Sequence, residues 1–153
     1  MSKPKYDAEF TRNRWLDLAK AELGDREGRD DAKILTFFQD AGHSEVHTSA
    51  TAWCAAFCGA MLHRAGMKRT SSLMARSYLN TAIATKLSAP KIGCIAILWR
   101  NDPNGSEGHV GFVTGFTDDH ITLLAGNQGN AGVVSEETFP KTRVLGYAWP
   151  QPK

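Results

Sequence analysis

The chain has 153 residues, 42% hydrophobic and 22% charged, with a formal net charge of +2. This is enough for one globular domain with its own core. It excludes a disordered chain and gives no case for nucleic acid, and no run reaches the roughly 18 apolar residues of a membrane-spanning helix. The three cysteines, Cys54, Cys58 and Cys94, are too few and odd in number for a disulfide framework and fit synthesis in a reducing compartment. Zinc needs more ligands at tighter spacing, so no metal and no cofactor is expected.

Residues 1–9 read as a polar arm before a single domain over 10–153. Met1 to Asp7 is basic but has no apolar stretch of the kind a secretory signal requires. From Phe10 to Leu23 the residues Phe10, Trp15, Leu18, Ala19 and Leu23 recur at helical steps, and Gly24 ends the helix. Asp30 or Asp31 can cap a second helix that buries Ile34, Leu35, Phe37, Phe38 and Ala41 and stops at Gly42. A polar loop, His43 to Thr51, leads into Trp53-Cys54-Ala55-Ala56-Phe57-Cys58-Gly59-Ala60-Met61-Leu62, an apolar helix ending near Gly66. Leu73 to Ala84 reads as one more short helix.

The pattern then changes to strands. Cys94 to Trp99 is a continuous apolar run, Arg100 to Glu107 a turn-rich loop, His109 to Gly115 a second strand and His120 to Ala125 a third. Val133-Val134 begins a short strand and Val144 to Trp149 forms the last. Helices first and an antiparallel sheet second make an α+β fold.

Chemistry is suggested by where Cys54 falls. A thiol in the first turn of a helix feels unpaired backbone N–H groups and the positive end of the dipole, which favour the nucleophilic thiolate. Packing is the alternative, since cysteine is among the most buried residue types. Cys58, one turn deeper, and Cys94 read as core. His109 opens a strand between Gly108 and the Val110-Gly111 pair, where an imidazole can point from the sheet toward the Cys54 helix and serve as its base. A third group must orient that imidazole from the neighbouring strand. If the intervening turn has three residues, Phe116 pairs with His120 and His109 faces Asn127. If it has two, His109 faces Gln128, and either amide can accept from the ring. His43, His47, His63 and His120 lack such a frame and read as surface residues, and Trp15, Trp99 and Trp149 as packing.

Five stretches in this order, Trp53-Cys54-Ala55-Ala56-Phe57, Ala75-Arg76-Ser77-Tyr78, Gly108-His109-Val110-Gly111, Gly126-Asn127-Gln128 and Gly146-Tyr147-Ala148-Trp149-Pro150, resemble the NlpC-type, papain-like cysteine peptidases. The likeness is to a small phage- and effector-associated branch bordering on CHAP amidases, and it runs from about Trp15 to Pro150, with Leu23-Gly24 and Glu27-Gly28 included. Tyr78 stands where that branch more often has Trp, and Gly93-Cys94 where relatives commonly have Gly-Asp. The resemblance implies a papain-like α+β domain that hydrolyses an amide of the peptidoglycan stem peptide or its attachment to the sugar. Cys54 would be the nucleophile, His109 the base and Asn127 the orienter, with Gln128 the alternative. Trp53, Arg76, Ser77 and Glu27 are the substrate-binding candidates, Arg76 for a carboxylate and Glu27 for a free amine. Rival functions are a cysteine acyltransferase or deamidase of the same fold and a non-catalytic wall- or partner-binding module. Without a signal peptide, such a hydrolase would be made in the cytoplasm and reach the wall or periplasm as a phage lysin or an injected antibacterial effector. The partners expected are the stem peptide and, for an effector, an immunity protein; a monomer and no membrane insertion are expected.

Overall fold

The computed structural model describes residues 14–47 and 52–153. Among these, α1 (Arg14–Lys20), α2 (Asp31–Asp40) and α3 (Cys54–Arg64) come first, followed by a 3-10 turn at Ala75–Leu79. The strands are β1 (Ala84–Leu87), β2 (Ile95–Trp99), β3 (Gly108–Phe116), β4 (His120–Gln128), β5 (Val133–Pro140) and β6 (Val144–Pro150). They form one antiparallel sheet in the order β1-β6-β2-β3-β4-β5. This is the α+β arrangement expected from the sequence, helices on one face of an antiparallel sheet. No helix among the described residues is long and apolar enough to cross a membrane.

Helix α3 holds the fold together. Every residue from Cys54 to Leu62 is buried, and a helix apolar on all sides belongs inside. It packs on α1, α2, β3 and β4. Trp53, one residue ahead of the helix, is fully buried. Its indole stacks on Phe37, with centroids 6.0 Å apart and planes at 26°, and meets Phe57 edge-on. A strand can approach this cluster only where it has no side chain. A Cβ on Gly126 would lie 2.6 Å from Trp53 Cζ3 and 2.7 Å from Phe57 Cβ, closer than packed atoms come.

The helices before α3 follow the apolar periods with shifted ends. The proposed start of α1 at Phe10 falls outside the described residues. Trp15, Leu16 and Ala19 are buried, and the Trp15 indole N–H donates to the Gly93 carbonyl at 2.7 Å. Leu23 lies beyond the helix and is exposed. On α2, Ile34, Phe37 and Phe38 are buried as expected. Asp30 sits at the N-cap position, but its carboxylate accepts from the Arg26 amide and Asp31 accepts from Gly28. These two aspartates brace the preceding turn.

Two elements differ from the expectation. The stretch 73–84 is a 3-10 turn followed by an edge strand rather than a helix. Asn80 is the reason: its side-chain oxygen accepts from Ala82 N–H at 3.0 Å, and its carbonyl accepts from Ile83 and Ala84. That turn competes with helical bonding and releases Ala84–Leu87 to pair with β6. Strand β5 runs on to Pro140. Its polar Ser135-Glu136-Glu137-Thr138 segment suits an edge strand with one solvated face.

Replacing Gly126 by alanine forces a methyl into the Trp53–Phe57 contact. We expect a loss of roughly 2 kcal/mol of unfolding free energy, read by denaturant titration.

Candidate active site

Cys54 is the first residue of α3 and is 9% exposed. Its exposed edge lines a cleft of about 290 Å³ shared with Met74, Ala75, Arg100, Gly108 and Asn127. Gly108 keeps the floor low, because a Cβ there would sit 2.7 Å from the Leu98 carbonyl oxygen. Burial pushes the thiol pKa up; the backbone N–H groups of Val110, Ala55 and Cys54 itself and the charge of Arg100 oppose this. The helix start therefore helps, as expected, but desolvation prevails. The resting group is a neutral thiol, a correction to the thiolate expected from position alone.

His109 reaches its partner through two irregularities in strand pairing. At the tip of the β3–β4 hairpin Phe116 faces Ile121 and Gly115 faces Thr122, the frame that would set His109 against Gln128. A shift at Thr114 then brings Phe112 opposite Leu124, the frame that would set His109 against Asn127. Asn127 adopts a left-handed backbone, φ 60°, and the β4–β5 register shifts between Ala125 and Gln128. Asparagine tolerates that conformation better than most residues. The outcome is that Gln128, not Asn127, meets the imidazole. Gln128 Oε1 lies 2.9 Å from His109 Nε2. Its Nε2 donates to the Ser135 carbonyl at 2.6 Å, which fixes which way the amide points. The network therefore places the ring proton on Nε2, donating to Gln128, and leaves Nδ1 an acceptor. Arg100 Nη2 donates to that Nδ1 at 3.2 Å.

Strand alternation sends Val110 and Phe112 into the core beneath the helices. It turns His109 to the other face, where its ring meets Phe139 with centroids 5.8 Å apart. The expectation that His109 points at the Cys54 helix is thus corrected: no hydrogen bond joins imidazole and thiol. They share the Arg100 guanidinium, which lines the cleft beside Cys54 and holds His109 Nδ1. They are also linked through the chain, since the N–H directed at the sulfur belongs to Val110, the residue after His109. Burial lowers the His109 pKa to about 4, helped by the charges of Arg100 and Arg143 and opposed by Gln128.

The proposed substrate-binding residues have tasks inside the fold. Trp53 is sealed away from the cleft, and its indole N–H donates to Glu27 Oε1 at 2.7 Å. Glu27 thereby anchors the aromatic cluster. Arg76 directs its guanidinium to three backbone carbonyls, Glu107 at 2.8 Å, Pro103 at 3.1 Å and Asp102 at 2.8 Å. It shapes the loop that walls the cleft, and Ser77 bonds the Thr70 hydroxyl at 2.7 Å. Cys58 and Cys94 are fully buried. Arg100 is a site residue that the sequence does not mark, since there it reads as the start of a turn. Its signal is positional: Leu98 pairs with His109 across β2–β3, and Arg100, two residues further on, is a diagonal neighbour on the same face as the imidazole. Among the described residues no group of three His, Cys, Asp or Glu side chains is placed to hold a metal ion.

No family model matches this chain, and no curated protein matches it. Two solved structures of Ly7917 resemble it. One, determined "with the hydrolyzing product of MDP", aligns with a TM-score of 0.47 and 18% identity over 92% of this chain and 62% of the other. The second gives 0.45 and 16% over the same shares. The chain therefore spans 62% of the length of those two proteins. A likeness this distant assigns neither family nor activity.

Burial of His109 predicts an acid-sensitive fold. Between about pH 4 and pH 6.5 the unfolded chain binds a proton at this histidine that the folded chain does not. The residue therefore lowers stability as pH falls through that window. Asp25, raised by burial and by Glu22, titrates nearby with the opposite sign, so the comparison is with His109→Gln. The stability difference, wild type minus variant, is expected to fall by roughly 3 kcal/mol from pH 7 to pH 4, measured by denaturant unfolding. Iodoacetamide is expected to modify Cys54 slowly and to spare Cys58 and Cys94 in the folded chain, as read by peptide mass spectrometry.

Proposed function

We propose that this chain is a cysteine hydrolase that cuts an amide bond in the peptidoglycan stem peptide or at its attachment to the sugar. The observation that carries the chemistry is Cys54 at the first position of a helix and at the mouth of a cleft whose wall also holds Arg100 and Asn127. The His109–Gln128 pair supports it, because a base needs its tautomer and ring orientation fixed. The substrate class rests on the sequence resemblance to NlpC-type peptidases.

The proposed steps begin with a movement of the ring. Substrate binding releases His109 Nδ1 from Arg100 and the imidazole turns toward the cleft, where Nδ1 takes the thiol proton as Sγ attacks the amide carbon. The C–N bond breaks, the imidazolium gives its proton to the leaving amine, and a thioester remains on Cys54. Water then attacks the thioester with His109 as base, releasing the carboxylic acid and restoring the thiol. Gln128 holds the ring and its tautomer at rest. Asn127 gains a different role from the one expected of it. It lines the cleft beside Cys54 and makes no side-chain hydrogen bond to a described residue. It is our candidate for the second oxyanion donor beside the Cys54 backbone N–H. Lysin and injected effector remain the two settings proposed for this activity.

A second reading has its own support: the capped Nδ1 and neutral thiol also suit a binding module that performs no chemistry. Digestion of purified sacculi with mass spectrometry of the products separates them. Wild type is expected to release new amines and carboxylates at one bond type, and Cys54→Ala to release none. Sacculi left intact by wild type, or cut equally by Cys54→Ala, would falsify the thiol mechanism. Asn127→Ala is expected to lower kcat roughly 10²–10³-fold with KM little changed, measured on a soluble stem-peptide fragment.

A further inference from the structure

Arg100 is the group that neither the fold nor the proposed chemistry requires where it stands. It is exposed at the end of β2 and lines two clefts. One is the Cys54 cleft; the other, of about 470 Å³, opens on the outer face beside Trp99, Gln128, Glu137 and Arg143. Among the described residues its guanidinium makes one hydrogen bond, to His109 Nδ1, and no ion pair. A guanidinium carries several further N–H donors in a fork that matches a carboxylate bidentately. The contrast with Arg76, whose donors are taken by three carbonyls, is direct. Arg76 is built in; Arg100 has donors to spare in the wall of a cleft that holds a thiol.

We infer that Arg100 is a carboxylate-operated latch: a carboxylate on the substrate, near the amide to be cut, draws the guanidinium off His109 Nδ1 and frees the ring to turn that nitrogen toward Cys54. This deepens the hydrolase reading and rests on it. It makes the substrate class a peptide carrying a free carboxylate beside the scissile bond, and it makes Arg100 both the recognition group and the switch. The neutral nitrogen–guanidinium hydrogen bond is exchanged for a charge-assisted pair, which is stronger. Without such a ligand the base stays capped and the thiol protonated, so the resting chain is idle.

The test reads the histidine directly, without turnover. Long-range proton–nitrogen NMR spectra of the full chain follow the His109 ring nitrogens during titration with three probes. N-acetylalanine offers a C-terminal carboxylate, the α-amide of N-acetylglutamate offers a side-chain carboxylate, and N-acetylalaninamide offers none. At least one acid is expected to shift Nδ1 and the neutral amide is not; the acid that acts identifies which carboxylate is read. Arg100→Gln is expected to show the shifted Nδ1 without any probe and to respond to none of them. An Nδ1 signal unmoved by both acids, or moved equally by the neutral amide, overturns the latch. In parallel, wild type is expected to prefer a peptide with the carboxylate over its amidated twin by roughly 10- to 100-fold in kcat/KM, and Arg100→Gln to cut both alike. Arg100→Lys, which keeps the charge but not the fork, is expected to retain part of the preference. If Nδ1 responds to the acids while neither peptide is cut, the hydrolase reading fails and the latch stands. If both peptides are cut equally by wild type, the latch fails and the hydrolase reading stands.

Discussion

The burial of α3 on every side is the constraint from which the site follows. A helix with no polar face must be enclosed, and α1, α2 and the inner face of the sheet enclose it. Its first turn is the point where that enclosure opens, and Cys54 sits there. The same constraint explains the surrounding residues. Trp53 and Phe57 need a smooth strand to lie against, so β4 presents Gly126. Glu27 satisfies the one polar atom of the buried indole. A sulfur in this position gains backbone N–H groups from the helix start and from β3, yet loses more to desolvation. The site is thus prepared for a thiolate but does not hold one at rest.

Much of this was legible in the chain. The apolar periods of α2 and α3, the continuous run of β2 and the strands around it are written in residue order, and they were placed to within a few positions. The edge elements were less legible. Ala84–Leu87 has no strand alternation of its own and becomes a strand because Asn80 stops the preceding turn and β6 offers a partner. In β5 the acidic segment looks like loop until one sees that it covers the sheet's open edge.

The identity of the imidazole's partner was not legible, for a physical reason. The hairpin left two frames open, and each frame names a different amide. The structure uses both, one at the turn and the other past the Thr114 shift, then adds a left-handed Asn127 that advances the strand again. No local propensity encodes such a pair of offsets; they come from fitting β4 between β3 and β5. For the same reason Arg100 escaped notice, since its nearness to His109 exists only once β2 and β3 are paired. Arg76 shows the reverse: a motif residue assigned to substrate turns out to hold the loop that shapes the cleft.

The proposed covalent chemistry at Cys54 is most directly tested by acid-quenched intact-mass spectrometry of the full chain during turnover of a stem-peptide fragment. An added mass equal to the acyl half of the substrate is expected, mapping to Cys54 and lost on prolonged incubation before the quench. Product release with Cys54 unmodified at every time point would contradict attack by this sulfur.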